Sequence, residues 1–401
     1  MNLTNDNLAT IEFKAQWEHD GIRHTDSLWA QRVNMWRDVF PPTLHRQLMS
    51  ATAGDAPVVE LVGDGHASPP RPENVVRVPL ARLQPFGPAG LRILPRYGRF
   101  YPAGILAGLP GVFKESITPF RCISRDEAAI SADLNHAMAG RSVRLTAAVR
   151  DVREKFEERG GTANAWVETL LEGPGFKARA NGRPTDFFSD APFERPDAVD
   201  DSVFYARPRL VNHIDDTAVL YLNRLYGQLI RPKSRVLDLM SSWVSHLPEG
   251  LELEGVTGLG MNREELAANR RLTDAAVHDL NRDPVLPFAS GAFDAAVCTV
   301  SVEYLTRPFE VFKEVARVLR NGGVFIVTFS NRWFPPKAIR IWPQLHEFER
   351  VGLVTEYFLK SGDFSDLETW SMRGLPRPVN DRYYSQQPFS DPLHAVWGYR
   401  T

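Results

Sequence analysis

The chain has 401 residues, 43% of them apolar, with 47 Lys and Arg against 49 Asp and Glu. That length holds roughly two or three domains, the near-neutral charge argues against an electrostatically driven nucleic-acid binder, and no run reaches the ~20 apolar residues of a membrane span. Cys122 and Cys298 are too few for a disulfide scaffold or a zinc cluster. The opening MNLTNDNLATIEFKAQWEHD lacks the basic head and apolar core of a signal peptide. A soluble cytoplasmic protein is expected, without nucleic-acid or membrane partners and without a metal site.

Residues 12–50 read as two amphipathic helices, so 1–55 is expected to be a short helical N-terminal segment. In DSLWAQRVNMWRDVF, Leu28, Trp29, Val33, Trp36 and Phe40 share a stripe that Pro41-Pro42 ends. TLHRQLMSA forms the second helix. Trp29 and Trp36 are either a binding surface or packing residues, and their helical spacing favours packing.

From 56 to 155 the pattern changes to short strands broken by Gly and Pro. Two pieces stand out: PENVVRVP (72–79) and ISADLNHAMAGRSVRLTAAVRDVRE (130–154). Together they resemble the second half of a SlyD-type FKBP prolyl isomerase, which reads P-E-x-V-x-x-V-P before its flap insert and V-D-x-N-H-P-L-A-G-K after it. Asp133, Asn135, His136, Ala139, Gly140 and Arg141 carry the second match, while Ala137-Met138 replaces Pro-Leu. The family's first strands and isomerase helix have no counterpart between Ala56 and Arg71. The resemblance therefore implies a mostly-β domain that binds peptides or is purely structural, rather than a working isomerase. His136 invites a metal or catalytic role, but in Asp-Leu-Asn-His-Ala-Met-Ala-Gly fixing a tight turn is the better account. PRYGRFYPAG (95–104) is either an anion-binding segment or a turn-rich flap, and its turn residues favour the flap.

Residues 156–205 are dense in Gly, Pro and Asp, yet Trp166, Phe176, Phe187, Phe188 and Phe193 make them too aromatic for a free linker. An ordered connector draped over the following domain, and able to cover its site, is expected.

From 206 to 401 the apolar runs VLDL, GVTGL, FDAAVCTVS and VFIVTF alternate with segments of helical period, as in a parallel sheet flanked by helices. TAVLYLNRLYGQLI (217–230) is one such helix, and Asp215 or Asp216 is placed to cap it. His213 with Asp215 reads alternatively as a base and its orienter. In FEVFKEVARVLRNGG, Phe309, Phe312, Val315, Ala316 and Leu319 form one apolar face, Pro308 suits the first turn, and Asn321-Gly322-Gly323 stops the helix. LPFASGAFDAAVCTVSVEYLTRPFEVFKEVARVLRNGGVFIVTF resembles the second half of a class I S-adenosylmethionine (SAM) dependent methyltransferase of the UbiE-like, type 11 branch. There an acidic-Leu pair precedes LPF, FD opens the fourth strand, and R-x-L-x-x-G-G precedes the fifth.

The resemblance implies an α/β fold with a Rossmann-like, seven-stranded methyltransferase sheet. GDFSDLETWSMRG and PLHAVWGYR would supply the antiparallel closing pair, and LPRPVNDRYYSQQPFSD between them a further wall of the site. It also implies a SAM site built from Asp238, Met240, Ser241, Ser242, Gly260, Met261, Asn262, Asp279, Leu280, Asn281 and Ser301. Two features depart from the family. Leu239-Met240-Ser241-Ser242-Trp243 replaces the usual glycine-rich turn after the first strand, and Gly260 stands where an acid usually holds the ribose. SSWVSHLP is expected to form a helix of barely two turns, capped by Ser241 or Ser242 and stopped by Pro248.

For chemistry, Glu303 is the candidate general base and Tyr304 a shape and hydrogen-bond residue. Arg332 is either a recognition residue or an ion-pair partner of Glu303. Arg332, Trp333 and Lys337 together suit a polar substrate such as an acid. Pro343 kinks the following helix or starts it anew, and HEFER lacks the second histidine of a zinc protease. The leading expectation is SAM-dependent methyl transfer to a small molecule or a protein side chain. The alternative is a binding or chaperone-like protein with a degenerate methyltransferase fold.

Overall fold

The computed structural model describes every residue except 62–67, 88, 89, 91 and 157–160. Parts of the expected β domain and the start of the expected connector thus lie outside the described residues. The strands, in chain order, are β1 (Asn7–His19), β2 (Ile22–Val33), β3 (Val58–Leu61), β4 (Val75–Pro79), β5 (Phe100–Pro102), β6 (Pro119–Arg125), β7 (Ala129–Asp133) and β8 (Val143–Glu154). They continue with β9 (Arg235–Leu239), β10 (Gly255–Gly260), β11 (Asp274–Val277), β12 (Phe293–Thr299), β13 (Leu319–Phe329), β14 (Phe364–Arg373) and β15 (Leu393–Arg400). The helices are α1 (Pro42–Leu48), α2 (Trp166–Leu171), α3 (Asp201–Phe204), α4 (Asp216–Leu229), α5 (Arg263–Ala268), α6 (Pro308–Val318) and α7 (Glu347–Ser361). No helix among the described residues is long and apolar enough to cross a membrane.

The chain forms two compact units. The first holds Met1–Asp20, Gln31–Pro192 and Gln344–Leu353. In it β8 pairs antiparallel with β1 on one side and β3 on the other. Val143, Leu145, Ala147 and Val149 point inward while Arg144 and Arg150 face water, the period-two pattern of a half-buried strand. A separate antiparallel sheet runs β4-β7-β6-β5 over a core of Val78, Tyr101, Ile105, Phe120, Cys122 and Ile130. The backbone N–H of Met138 donates to His136 Nδ1 at 3.1 Å, so this histidine shapes a turn. Asn135 Oδ1 accepts from Arg71 N at 2.8 Å and from Asn74 Nδ2 at 3.1 Å.

The second unit holds Gly21–Ala30, Phe193–Pro343 and Val354–Thr401. Its sheet runs β11-β10-β9-β12-β13-β15-β14 and ends on the 22–30 stretch of β2. Strands β11, β10, β9, β12 and β13 are mutually parallel, and β15 is antiparallel to both neighbours. On one face α4 buries Ala218, Leu222, Leu225 and Tyr226 with Val236, Val256, Val297 and Ile326. Phe312 of α6 packs edge-on against Phe325. Strands covered on both faces are apolar almost throughout, which is why VLDL and VFIVTF stand out in the sequence.

Several expectations need correction. The N-terminal segment is mainly strand, and only α1 survives of the two expected helices. The stretch 23–28 pairs in parallel with 368–373, a strand that a seven-stranded sheet does not include. Two of its inward positions are polar: His24 Nδ1 lies 2.7 Å from Thr369 Oγ1, and Ser371 Oγ donates to Asp26 Oδ1 at 2.6 Å. A stripe of helical period was the wrong signal, because the buried side chains of Ile22, His24, Asp26, Leu28 and Ala30 alternate as in a strand. Trp36 is 59% exposed, not packed. SSWVSHLP forms no helix. Its carbonyls are taken by side chains instead: Asn269 Nδ2 donates to Ser242 O at 2.9 Å and Asn223 Nδ2 to His246 O at 2.8 Å. After Pro343 the chain starts a new helix, α7.

Candidate functional site

A cavity opens in the second unit at the carboxyl ends of β9, β10, β11 and β12, where parallel α/β sheets gather ligands. Its floor is Asp238 and Met240–Ser242 after β9, Leu259–Asn262 at β10, His278–Asn281 after β11, and Thr299–Ser301 with Tyr304 after β12. Asp201, Tyr205, Arg209, the 211–214 stretch and Phe334 complete the wall. Every residue expected to bind cofactor (Asp238, Met240, Ser241, Ser242, Gly260, Met261, Asn262, Asp279, Leu280, Asn281 and Ser301) lines this one cavity.

The loop after β9 takes a route that needs no glycine of its own but demands one opposite. Met240 adopts the left-handed region at φ 58°, turning Ser241 across β10, where its N–H donates to Leu259 O at 2.8 Å. A β-carbon on Gly260 would meet the Ser241 carbonyl at under 3.0 Å. The family's ribose acid has no room there. Glu265, at the start of α5, instead brings a carboxylate to the same wall, accepting from Ser242 Oγ and from Arg209 N at 2.7 Å each. Asn262 caps α5 through Glu264 N and Glu265 N, and its Nδ2 donates to the carbonyls of Tyr205 and Ala206.

Asp238 is buried and accepts from Ser241 Oγ at 2.6 Å. Burial pushes its carboxyl up to about 7, against the opposing pull of the Ser241 and Ser245 hydroxyls. Burial, and then His213, holds His246 down at about 4, and burial lowers His213 as well. Tyr304 is raised well above the usual phenol range by burial and then by Glu303. Its hydroxyl accepts from Phe334 N at 2.8 Å.

Other site candidates are placed differently. Glu303 is fully buried and is not among the residues lining the cavity. Arg332 is also outside the lining, with its guanidinium 5.3 Å from the Tyr383 ring centroid. Lys337 is wholly buried between Asp197 and Asp201 at 3.2 and 3.3 Å, so it is not a substrate-facing cation. Asp215 is buried and caps α4 through Thr217 N and Ala218 N, and it also accepts from Ser390. It therefore serves the helix end rather than His213. Sequence reasoning missed Tyr205, Arg209 and Glu265. For Glu265 the signal was its place in the first turn after β10. Arg209 and Tyr205 lie in an irregular stretch whose course only long-range contacts set.

The residues present fit a SAM-like nucleoside. Carboxylates at Glu265 and Asp279 and the buried carboxyl of Asp238 suit its amine and hydroxyl groups, and the hydroxyls of Ser241, Ser242 and Ser301 and the rings of Tyr205, Tyr304 and Phe334 lie in the same lining.

Residues 243–327 match the family model described as a methyltransferase domain. No curated protein matches the chain. Among solved structures, the chain is similar to the YcgJ protein of Bacillus subtilis, at 15% identity over 45% of this chain and 97% of that one, with a TM-score of 0.32. It is similar also to a SAM-dependent methyltransferase, possible histamine N-methyltransferase, from Thermotoga maritima (15%, 46% and 89%, TM-score 0.34). A third is a SAM-dependent methyltransferase from Archaeoglobus fulgidus (13%, 46% and 94%, TM-score 0.34). At those scores the likenesses carry no weight beyond the match to 243–327. That stretch is similar to a methyltransferase domain, and the match supports S-adenosylmethionine as the cofactor.

Proposed function

We propose that the chain is a SAM-dependent methyltransferase acting on a small molecule or a protein side chain. The observation that carries this reading is the cavity at the carboxyl ends of β9–β12, lined by carboxylates and aromatic rings within and beside the methyltransferase-like stretch. The strand order β11-β10-β9-β12-β13-β15-β14 supports it too, because it closes on the antiparallel pair the resemblance implies. Bound SAM would supply an electrophilic methyl group. The chain's part is to hold that group in line with the acceptor and to remove a proton where the acceptor carries one. Asp279, Glu265 and the Ser241–Ser242 turn would hold the cofactor. His213, neutral and cavity-lining, is better placed than Glu303 to take the proton. Full turnover by His213→Asn on an acceptor that must lose a proton would remove that assignment.

The test is calorimetric titration with SAM and its demethylated product. Micromolar binding, weakened roughly tenfold or more in Asp279→Ala and blocked in Ser241→Trp, is the expected result. No heat and no thermal shift at millimolar ligand would overturn it.

The second reading, a binding protein on a degenerate methyltransferase fold, draws on the absence of a ribose acid at Gly260. It predicts nucleoside binding that is absent, or present without turnover on any acceptor. For 56–155, the support for a SlyD-like peptide-binding module is that its two matching pieces lie side by side as the antiparallel pair β4 and β7. Failure of proline-containing peptides to bind at millimolar concentration would remove that role.

A further inference from the structure

Arg209 presents an unmet electrostatic demand. Among the described residues that line the cavity it alone is an arginine or lysine. Its guanidinium carbon lies 4.5 Å from the ring centroid of Phe204, 5.3 Å from Phe334 and 5.7 Å from Tyr205. One terminal nitrogen donates to Phe204 O at 3.0 Å. The other, Nη1, is buried and has no hydrogen-bond partner among the described residues. No carboxylate among them lies within salt-bridge distance either, since Glu265 is engaged by the Arg209 backbone and by Ser242.

A guanidinium cannot shed its charge, and leaving one of its donors buried and unmade is costly. The three rings repay part of that through cation–π attraction, but they leave Nη1 without an acceptor. Such a fork matches a carboxylate. Asp201, Glu265 and Asp279 in the same walls weigh against a dianion such as phosphate, so a single negative charge suits the site better. Arg209 also lies against Phe334, which stacks on Tyr304 beyond the end of β12.

We propose that Arg209 is the substrate carboxylate receptor of this cavity. The methyl acceptor is then a carboxylic acid with a flat, apolar or aromatic body held against Tyr205 and Phe334. This deepens the methyltransferase reading and rests on it for the word acceptor. The carboxylate chemistry has a second source in the cofactor's own methionine end, so the experiment separates the two.

The full chain is titrated calorimetrically as wild type, Arg209→Met and Arg209→Lys. The probes are S-adenosylhomocysteine, methylthioadenosine (the same nucleoside without the amino-acid carboxylate), and naphthoate beside its neutral amide. Naphthoate should bind the nucleoside-loaded wild type where the amide does not. Arg209→Met should weaken it roughly 10- to 100-fold while leaving both nucleosides unchanged, and Arg209→Lys should restore only part. Unchanged nucleoside affinity in the variants shows that they fold. Equal binding of acid and amide, or naphthoate binding indifferent to Arg209, overturns the proposal. So does a loss confined to S-adenosylhomocysteine with methylthioadenosine intact, which gives Arg209 to the cofactor. If neither nucleoside binds the wild type, the methyltransferase reading fails, and naphthoate against its amide on the free chain still decides whether Arg209 receives a carboxylate.

Discussion

The carbonyl oxygen of Ser241 stands so close above Gly260 that a β-carbon there would meet it at under 3.0 Å, with Leu266 Cδ2 at 3.2 Å beside it. Gly260 is thus fixed by the path of the neighbouring loop. Installing the acid that the methyltransferase resemblance calls for, as Gly260→Asp, should not create a ribose site. It should displace the Met240–Ser242 turn and cost about 1–3 kcal/mol, as overpacking does. Denaturant unfolding and nucleoside titration check this. A variant as stable as wild type that binds nucleoside more tightly would show the loop to be free to move.

Asp238 makes stability depend on pH in the unusual direction. Its carboxyl titrates near the ordinary 3.8 when unfolded and at about 7 when folded. Between those values the unfolded chain is ionised while the folded chain keeps its proton, so stability falls as pH rises and the full penalty stands above about 7. Asp238→Asn keeps an acceptor for Ser241 without the charge. Each pH unit separating the folded and unfolded titrations is worth about 1.4 kcal/mol, so the variant should gain a few kcal/mol over wild type above neutrality. Near the acid end it should gain almost nothing. An advantage independent of pH would contradict the assignment.

Lys337 fastens the 193–205 segment along the cavity wall. It binds Asp197, Asp201 and the Val199 carbonyl, the last at 2.5 Å, while Arg195 holds Asp201 from the other side and Asn281 Nδ2 donates to Asp201 Oδ2 at 2.9 Å. Lys337→Met takes the buried cation from Asp201, which keeps Arg195 and Asn281, and should cost about 1–3 kcal/mol. Limited proteolysis should then cut between 197 and 205 first. Protection equal to wild type would show the segment to be held by its aromatic packing instead.

The strand at 22–30 is tested through Asp26, buried against Ser371. Asp26→Ala should cost about 1–3 kcal/mol and raise hydrogen exchange along β14. For the same reason, removal of residues 1–155 takes away a strand of the second unit's sheet, so that fragment is not a neutral test of what the N-terminal region does.

What the sequence alone determined is local. Helix α6 was legible because Pro308 and an apolar face mark its start and period, but it ends at Val318, and Leu319 and Asn321-Gly322-Gly323, expected to complete and stop it, belong to β13. The strands β9, β10, β12 and β13 declare themselves as β-branched runs because both faces are buried. The residues that the methyltransferase resemblance implies for the cofactor are brought around one cavity by the fold. Tertiary structure decided the rest. Strand 22–30 owes its place to partners some 345 residues away, and the polar His24 and Asp26 interrupt the inward series of Ile22, Leu28 and Ala30 that would otherwise reveal it. The 240–248 loop is not helical because Asn223 and Asn269 satisfy its carbonyls from elsewhere. Glu303 and Lys337, which look exposed and reactive in sequence, are buried. Arg209 gains its role only when the chain folds back beside Phe334. Periodicity reports which face a residue turns inward. It carries no information about which distant polar group will be waiting there.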